Sequence, residues 1–232
     1  MTVAVLDTAP DGLSAEMAML DAVAAGRAAS SALLWTSRAP WLVLPERLTR
    51  SDSFDAAAAD SGTAGWPVTA RRTGGGITPQ GPGVLNLALA FRVAPGKART
   101  IRDSYDEICN PLVEAFAALG VDAAATPVNG SFCDGEYNLA VGGRKIVGTA
   151  QRWRGAACLA HALILTDIVL PPAVAAVQRL SDGLGHSDVF APDVHCRLAD
   201  VATVEGDVTD AAVRSIRKAV ERRGYESWPC GA

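Results

Sequence analysis

Leu139-Ala140-Val141-Gly142-Gly143-Arg144-Lys145-Ile146-Val147 sets two short apolar runs on either side of a Gly-Gly pair. A two-residue glycine turn matches the twist of an antiparallel pair, so this stretch predicts a β-hairpin. Downstream, residues 157–165 are a further apolar run that predicts a core strand. Upstream, Leu85, Leu87, Leu89 and Phe91 alternate with Asn86, Ala88 and Ala90, a period of two that predicts a strand with one face against a core. Shorter strands are predicted at 32–35, 41–44 and 68–72, and residues 51–65 as a loop or short surface helix. Helical spacing appears four times. Leu13, Met17, Leu20 and Ala24 follow an Asp11 or Ser14 cap. Ile101, Tyr105, Ile108, Leu112, Phe116 and Leu119 run to Gly120, with Asn110-Pro111 either kinking that helix or starting another. Pro171-Pro172 opens a helix to residue 180, and 209–223 carries Val213, Ile216 and Val220 inward and stops at Gly224. Strands and helices mixed without regular βαβ alternation predict an α+β fold (a mixed-sheet α/β domain), with no linker or internal repeat dividing residues 1–232.

The chain has 232 residues, 49% hydrophobic and 20% charged, enough to bury an ordinary core. A formal net charge of -4 and a pI of about 5.4 leave no general basic field for nucleic acid. Residues 1–10 hold no Lys or Arg, and the longest apolar run falls well short of the roughly 20 residues that cross a bilayer. A soluble, cytoplasmic protein without a membrane partner is expected. Cys109, Cys133, Cys158, Cys196 and Cys230 show no metal-like spacing with His161, His186 or His195, so reduced thiols and no metal site are expected. Lysine occurs only at 97, 145 and 218, which singles out Lys145 in the hairpin.

Three segments have the composition of a reactive site. Arg71-Arg72-Thr73-Gly74-Gly75-Gly76, followed by Gly83 and Asn86, offers backbone that a ligand can approach closely and amides that can converge on an anion; a tight turn with solvated arginines is the bland alternative. It fits neither a dinucleotide fingerprint nor a P-loop. Gly130-Ser131-Phe132-Cys133-Asp134-Gly135-Glu136-Tyr137-Asn138-Leu139 puts a cysteine in a polar loop before a strand, the context of an exposed, reactive thiol, with a small buried filler as the bland alternative and the one expected of Cys109, Cys158 and Cys196. Gly143 to Arg152 carries Lys145 on a hairpin strand, either desolvated for proton transfer or a solvated edge lysine, with Arg144, Arg152 and Arg154 as a candidate basic cluster. His161 reads as a core or pocket histidine, His186 and His195 as loop residues, and Trp35, Trp41 and Trp66 as core packing or a pocket lining.

Taken in order, these segments resemble the lipoate-protein ligase and lipoyl/octanoyl transferase family, whose catalytic domain shares the biotin-ligase, class II aminoacyl-tRNA synthetase-like fold. The resemblance runs from Glu16 to Leu20, through Arg71–Gly76 and Gly83-x-x-Asn86, to Gly143-Arg144-Lys145-Ile146-x-Gly148-x-Ala150-Gln151-Arg152, and the cysteine loop is similar to that of the octanoyltransferases and amidotransferases. Gln80-Gly81 stands where ATP-dependent ligases carry His-Asp, and Asn138 where relatives often carry an acid.

The resemblance implies acyl transfer in which Cys133 takes an octanoyl or lipoyl group as a thioester and passes it to a lysine of E2 lipoyl domains or of the glycine-cleavage H protein, with acyl carrier protein or acylated H protein as donor. Lys145 would lower the Cys133 pKa and relay protons. Arg71, Arg72, Thr73, Gly74, Gly75, Gly76, Asn86, Gly148, Ala150 and His161 would bind substrate. The amides of residues 74–76 would support an oxyanion, while Arg71, Arg72 and Arg144 would face an acidic partner. No cofactor is needed in this cycle. The alternatives are an ATP- and Mg-dependent lipoate-protein ligase working through lipoyl-adenylate, and a non-catalytic acyl or lipoyl-domain binding protein.

Overall fold

The computed structural model describes residues 3–93 and 100–229, so Lys97 and Cys230 lie outside the described residues. In chain order its elements are β1 (Val3–Leu6), α1 (Ala9–Ala24), β2 (Ser31–Ser37), β3 (Trp41–Pro45), α2 (Phe54–Thr63), β4 (Val68–Arg71), β5 (Thr78–Gln80), β6 (Val84–Arg92), α3 (Ile101–Ala117), β7 (Ala124–Ala125), β8 (Leu139–Val141), β9 (Arg144–Arg154), β10 (Ala157–Leu165), α4 (Leu170–Gly183), α5 (Leu198–Val201), α6 (Val208–Glu221) and β11 (Glu226–Ser227). Eight strands form one sheet in the order β1-β2-β6-β10-β9-β8-β7, with β11 also beside β2; β4-β3-β5 form a second, smaller sheet. The large sheet is mostly antiparallel, with β1 and β11 parallel to β2. The hairpin stands where its Gly-Gly pair predicts it: Gly142 and Gly143 both have positive φ, the conformation that a type I′ turn needs.

The alternation along β6 sorts its side chains onto two covered faces. Leu85, Leu87, Leu89 and Phe91 pack with Ile108, Leu112 and Phe116 of α3 and Ile216 and Val220 of α6. Ala88 and Ala90 pack beneath Met19, Leu20 and Val23 of α1. The expected half-exposed strand is therefore buried on both faces: small side chains on its second face let α1 lie close. A third cluster joins Leu42 and Leu44 of the small sheet to Phe132, Leu165 and the inner face of α4.

Several boundaries differ from the sequence expectation. Helix α1 begins one turn earlier than an Asp11 or Ser14 cap implies, because Thr8 and Asp11 form a capping box and Asp11 is its third residue. Pro111 neither breaks nor restarts α3; Ile108 and Leu112 on either side are fully buried, and packing overrides the lost amide. Residues 51–65 take the second of their two expected forms, the short surface helix α2, while the short strands β1, β5, β7 and β11 were not predicted. The supposed basic cluster is dispersed. Arg144 and Arg154 stand at opposite ends of β9, on the order of 30 Å apart at about 3.3 Å per residue. Arg154 is paired with Asp21, and Arg152 donates to the Arg72 carbonyl at 2.6 Å. Among the described residues no helix is long and apolar enough to cross a membrane.

Candidate active site

Cys133 occupies the turn before β8 with φ of 51°, the one non-glycine residue with positive φ among those described. A cysteine held in this sparsely populated region is backbone strain at a reactive side chain, which the surrounding contacts must enforce. Lys145, fully buried at the start of β9, donates from Nζ to the carbonyls of Phe132 at 2.5 Å and Cys133 at 2.7 Å. Asn138 adds Nδ2 to the Cys133 carbonyl at 2.9 Å and is itself fixed by the Thr149 amide at 3.1 Å. His195 stacks on Phe132 with ring centroids 4.2 Å apart and accepts the Phe132 amide on Nε2 at 3.2 Å. Nε2 must then be unprotonated, so Nδ1–H donates to the Ala191 carbonyl at 2.9 Å. Burial, then the neighbouring Lys145 ammonium, pulls His195 down to about 4 and keeps it neutral.

The triple glycine faces this turn. The Gly76 amide donates to Cys133 Sγ at 3.1 Å, and Arg71 Nη2 lies 3.9 Å from the sulfur. Arg71 Nη2 also donates to the Gly74 and Gly76 carbonyls at 2.8 and 2.7 Å, its Nη1 donates to Val43 at 3.0 Å, and Arg47 holds the Gly75 carbonyl at 2.7 Å. Carbonyls of all three glycines thus turn to arginines, and the Gly76 N–H turns to sulfur. Gly75, at φ 95°, has no room for a side chain: a Cβ would sit 2.6 Å from Sγ and 2.9 Å from Arg71 Nη2. Gly148 likewise clears a path for Lys145, whose Cε and Nζ lie 3.3 and 3.4 Å from where its Cβ would stand.

The charges converge on the thiol. Burial alone would push Cys133 up, but the Lys145 ammonium, the Arg71 guanidinium and the Gly76 N–H outweigh it and hold the thiol below its ordinary value. Lys145 itself is pulled by burial from 10.5 down to about 8, against the opposing attraction of Cys133 and Asp134. At Cys109 and Cys196 burial prevails, at Cys196 even against nearby Arg144, and they rise to about 12 and about 11; Cys158 is fully buried, so all three are the filler expected.

Two cavities meet at Cys133. One is narrow, with Leu13, Trp35, Val43, Ala150, Ala162 and Leu163 in its walls. Gln80 and Asn86 also line it, but they bond each other reciprocally at 2.8 and 2.9 Å, leaving a lining that is apolar in effect. Arg71, Thr78, Gly148, Thr149 and His161 complete it. The other is a broad groove of about 950 Å³, reaching from Gly75 and Gly76 across Cys133 to His186 and Phe190.

Of the residues predicted from sequence, Cys133, Lys145, Arg71, Gly75, Gly76 and Gly148 come together around the sulfur. Asn86, Ala150 and His161 line the narrow cavity, and Thr73 reaches it through His161. Arg71 corrects an expectation: it is 5% exposed and holds the glycine loop from within, so it cannot face a partner. Arg72 and Arg144 are exposed, as is Gly74. Lys145 is no edge lysine. Trp35 lines the cavity, whereas Trp66 packs against the third cluster.

Sequence reasoning missed Glu16 and His195. Glu16, 2% exposed, accepts from Trp35 Nε1 at 2.9 Å and from His161 Nδ1 at 2.8 Å, while His161 Nε2 meets Thr73 Oγ1 at 3.0 Å. An acid within the helical stripe of α1 was the available signal for Glu16. His195 lies 63 residues from Phe132, and nothing local marks it.

A family model described as the lipoyl protein ligase A/B catalytic domain matches residues 9–214. An uncharacterized protein of Cupriavidus necator is 42% identical over 173 residues, 68% of this chain and 67% of that one. An octanoyl-[GcvH]:protein N-octanoyltransferase of Kyrpidia tusciae is 42% identical over 92 residues, 39% of this chain and 31% of that protein, so the match spans less than a third of its length. A crystal structure of lipoate-protein ligase A bound with ATP superposes with a TM-score of 0.66 at 18% identity, over 95% of this chain and 86% of that one, which is likeness of fold.

Proposed function

The chain belongs to the lipoyl protein ligase A/B catalytic-domain family, and from that premise we propose that it is a cysteine-dependent acyltransferase. In this reading it moves an octanoyl or lipoyl group from acylated H protein, through a Cys133 thioester, to a lysine of E2 lipoyl domains. The observation that carries the proposal is the sulfur's setting: a thiol 3.1 Å from a backbone N–H, beside two buried cations, at the mouth of a narrow apolar cavity. An adenylate-forming ligase has no need of a nucleophile so prepared.

In the first step the thiolate sulfur attacks the donor carbonyl; a C–S bond forms, the C–N bond to the donor lysine breaks, and the departing amine takes up a proton. In the second, the acceptor amine forms the new C–N bond, the C–S bond breaks, and the thiolate is restored. Lys145 acts from behind the turn: its ammonium is tied to the Phe132 and Cys133 carbonyls, so it stabilises the thiolate and fixes the turn. Gly76 N–H and Arg71 stabilise the sulfur from the front. The acyl tail fills the narrow cavity, where each methylene removed from water contributes about 0.8 kcal/mol. His161, held by Glu16 and Thr73, stands at its polar end, and Arg72 and Arg144 are the exposed arginines of this set that could meet an acidic partner.

The cycle needs no cofactor, treats residues 1–232 as one catalytic domain, and suits the cytoplasm, where Cys133 stays reduced. Nothing in the site favours acyl carrier protein as donor over acylated H protein. The test is transfer from octanoyl-H protein to a lipoyl domain without ATP. Transfer that Cys133→Ser abolishes supports the proposal; modification that requires ATP, Mg and free lipoate and survives Cys133→Ser overturns it in favour of a ligase, and binding without modification overturns it in favour of a non-catalytic binding protein.

A further inference from the structure

The narrow cavity and the broad groove meet at Cys133 from different sides, so a thioester with its tail in the cavity presents its carbonyl to the groove. We infer that the groove between the triple glycine and residues 185–190 is the channel through which the acceptor's lysine side chain reaches the Cys133 thioester. The inference rests on the thioester reading above and adds the route and the recognising residues.

Four observations support a lysyl side chain as occupant. First, the groove's far wall is built, not loose: Gln178 donates from Nε2 to the Asp188 carbonyl at 2.8 Å and accepts the Phe190 amide at 2.9 Å, and the Ala191 amide donates to the Gly130 carbonyl at 3.0 Å. Second, its charged lining is Arg47, Asp134 and Asp188, with His186 near Asp188, a balance of one negative charge with the histidine neutral. Arg47 is engaged with the Gly75 carbonyl and Asp134 with the Val128 amide, which leaves the exposed Asp188 as the carboxylate open to a cation. Third, Leu48, Ile77 and Phe190 line the passage, and Val189 there is 77% exposed, an apolar surface suited to the four methylenes behind a lysine nitrogen. Fourth, the hydroxyls of Ser131 and Ser181, on residues 3% and 1% exposed that line this groove, have no hydrogen-bond partner among the described residues. Buried hydroxyls normally find one, and an entering amine or the amide it forms supplies it.

At the end of the channel the amine nitrogen forms a bond to the thioester carbon, the C–S bond breaks with its electron pair going to sulfur, and the amine proton leaves to solvent through the open groove, which restores the Cys133 thiolate. No further reactant is required.

The test separates loading from discharge. The full chain is loaded with the octanoyl thioester of N-acetylcysteamine, and discharge by an E2 lipoyl domain is followed by intact mass in single turnover. Hydroxylamine, small and uncharged, serves as the second acceptor. Asp188→Lys reverses an exposed charge, and Val189→Trp obstructs the channel at an exposed site. Both are expected to slow lipoyl-domain discharge about tenfold, the first one less so at high salt, with hydroxylamine discharge unchanged. Lipoyl-domain discharge that is unchanged in either variant overturns this inference alone. Failure of the unsubstituted chain to load at Cys133 overturns the thioester reading and the inference with it.

Discussion

Replacing Lys145 by methionine keeps the length of the side chain and removes its charge and donors, and its two consequences differ in size. The ammonium satisfies the carbonyls of Phe132 and Cys133. The Cys133 carbonyl keeps its bond from Asn138, so the substitution leaves the Phe132 carbonyl without a partner, at a cost of about 1–3 kcal/mol. Against this, keeping the ammonium buried holds its pKa at about 8 where an exposed lysine has 10.5. At 1.36 kcal/mol per pKa unit that is a penalty of roughly 3 kcal/mol at neutral pH, which the substitution relieves. The two largely offset, and Lys145→Met is expected to fold with a stability within about 3 kcal/mol of the parent. Thiol reactivity has no such offset, because Lys145 is the largest influence favouring the thiolate. Alkylation of Cys133 by iodoacetamide at pH 7, followed by mass, is expected to slow at least about tenfold, with its pH midpoint moved up. An unchanged midpoint in a folded Lys145→Met protein would refute the reasoning and reduce Lys145 to a prop for the turn.

Three other outcomes follow from the same geometry. His195 is held near 4 in the folded chain and titrates near 6.5 when unfolded, so the unfolded state binds the extra proton between those values; stability present above pH 6.5 is lost as pH falls toward 4, by roughly 3 kcal/mol, and urea titrations at pH 7, 5.5 and 4 should show His195→Gln flattening that dependence. Gly75→Ala adds a Cβ 2.6 Å from the sulfur at a φ of 95°, so it should lower the melting temperature and slow Cys133 alkylation, whereas Gly62→Ala, with open space around it, should do neither. Ala150→Leu fills the narrow cavity and displaces about two methylenes of an eight-carbon chain; at about 0.8 kcal/mol each, octanoyl loading should fall roughly fifteenfold while acetyl loading is unaffected.

Much of this site was legible because its parts are local. The Gly-Gly hairpin, the alternation of β6 and the apolar run of β10 each follow from a few adjacent residues, and all four strands form at the expected places. Cys133 stood apart from the other cysteines by its polar loop. What was not legible depends on contacts distant in sequence. Arg71 reads as half of a solvated arginine pair until Val43, Gly74 and Gly76 are seen folded around its guanidinium. His195 acquires a role only because the chain returns beside β9, where the Cys196 amide donates to the Lys145 carbonyl and brings the imidazole onto Phe132. Converging amides were a fair reading of three glycines, yet the structure spends one on the sulfur and turns the loop's carbonyls to arginine, a choice made by tertiary charge. The short strands β1 and β5 escape for the same reason, since their neighbours in the sheets define them.

The account's central claim is that Cys133 carries the acyl group, and intact-protein mass spectrometry tests it most directly. Incubated with octanoyl-H protein, the chain is expected to gain one octanoyl group that maps to Cys133, is absent from Cys133→Ser, and disappears when a lipoyl domain is added, with the mass appearing on that domain. An octanoylated lipoyl domain formed at an undiminished rate by Cys133→Ser, with no adduct on the unsubstituted chain, would contradict it.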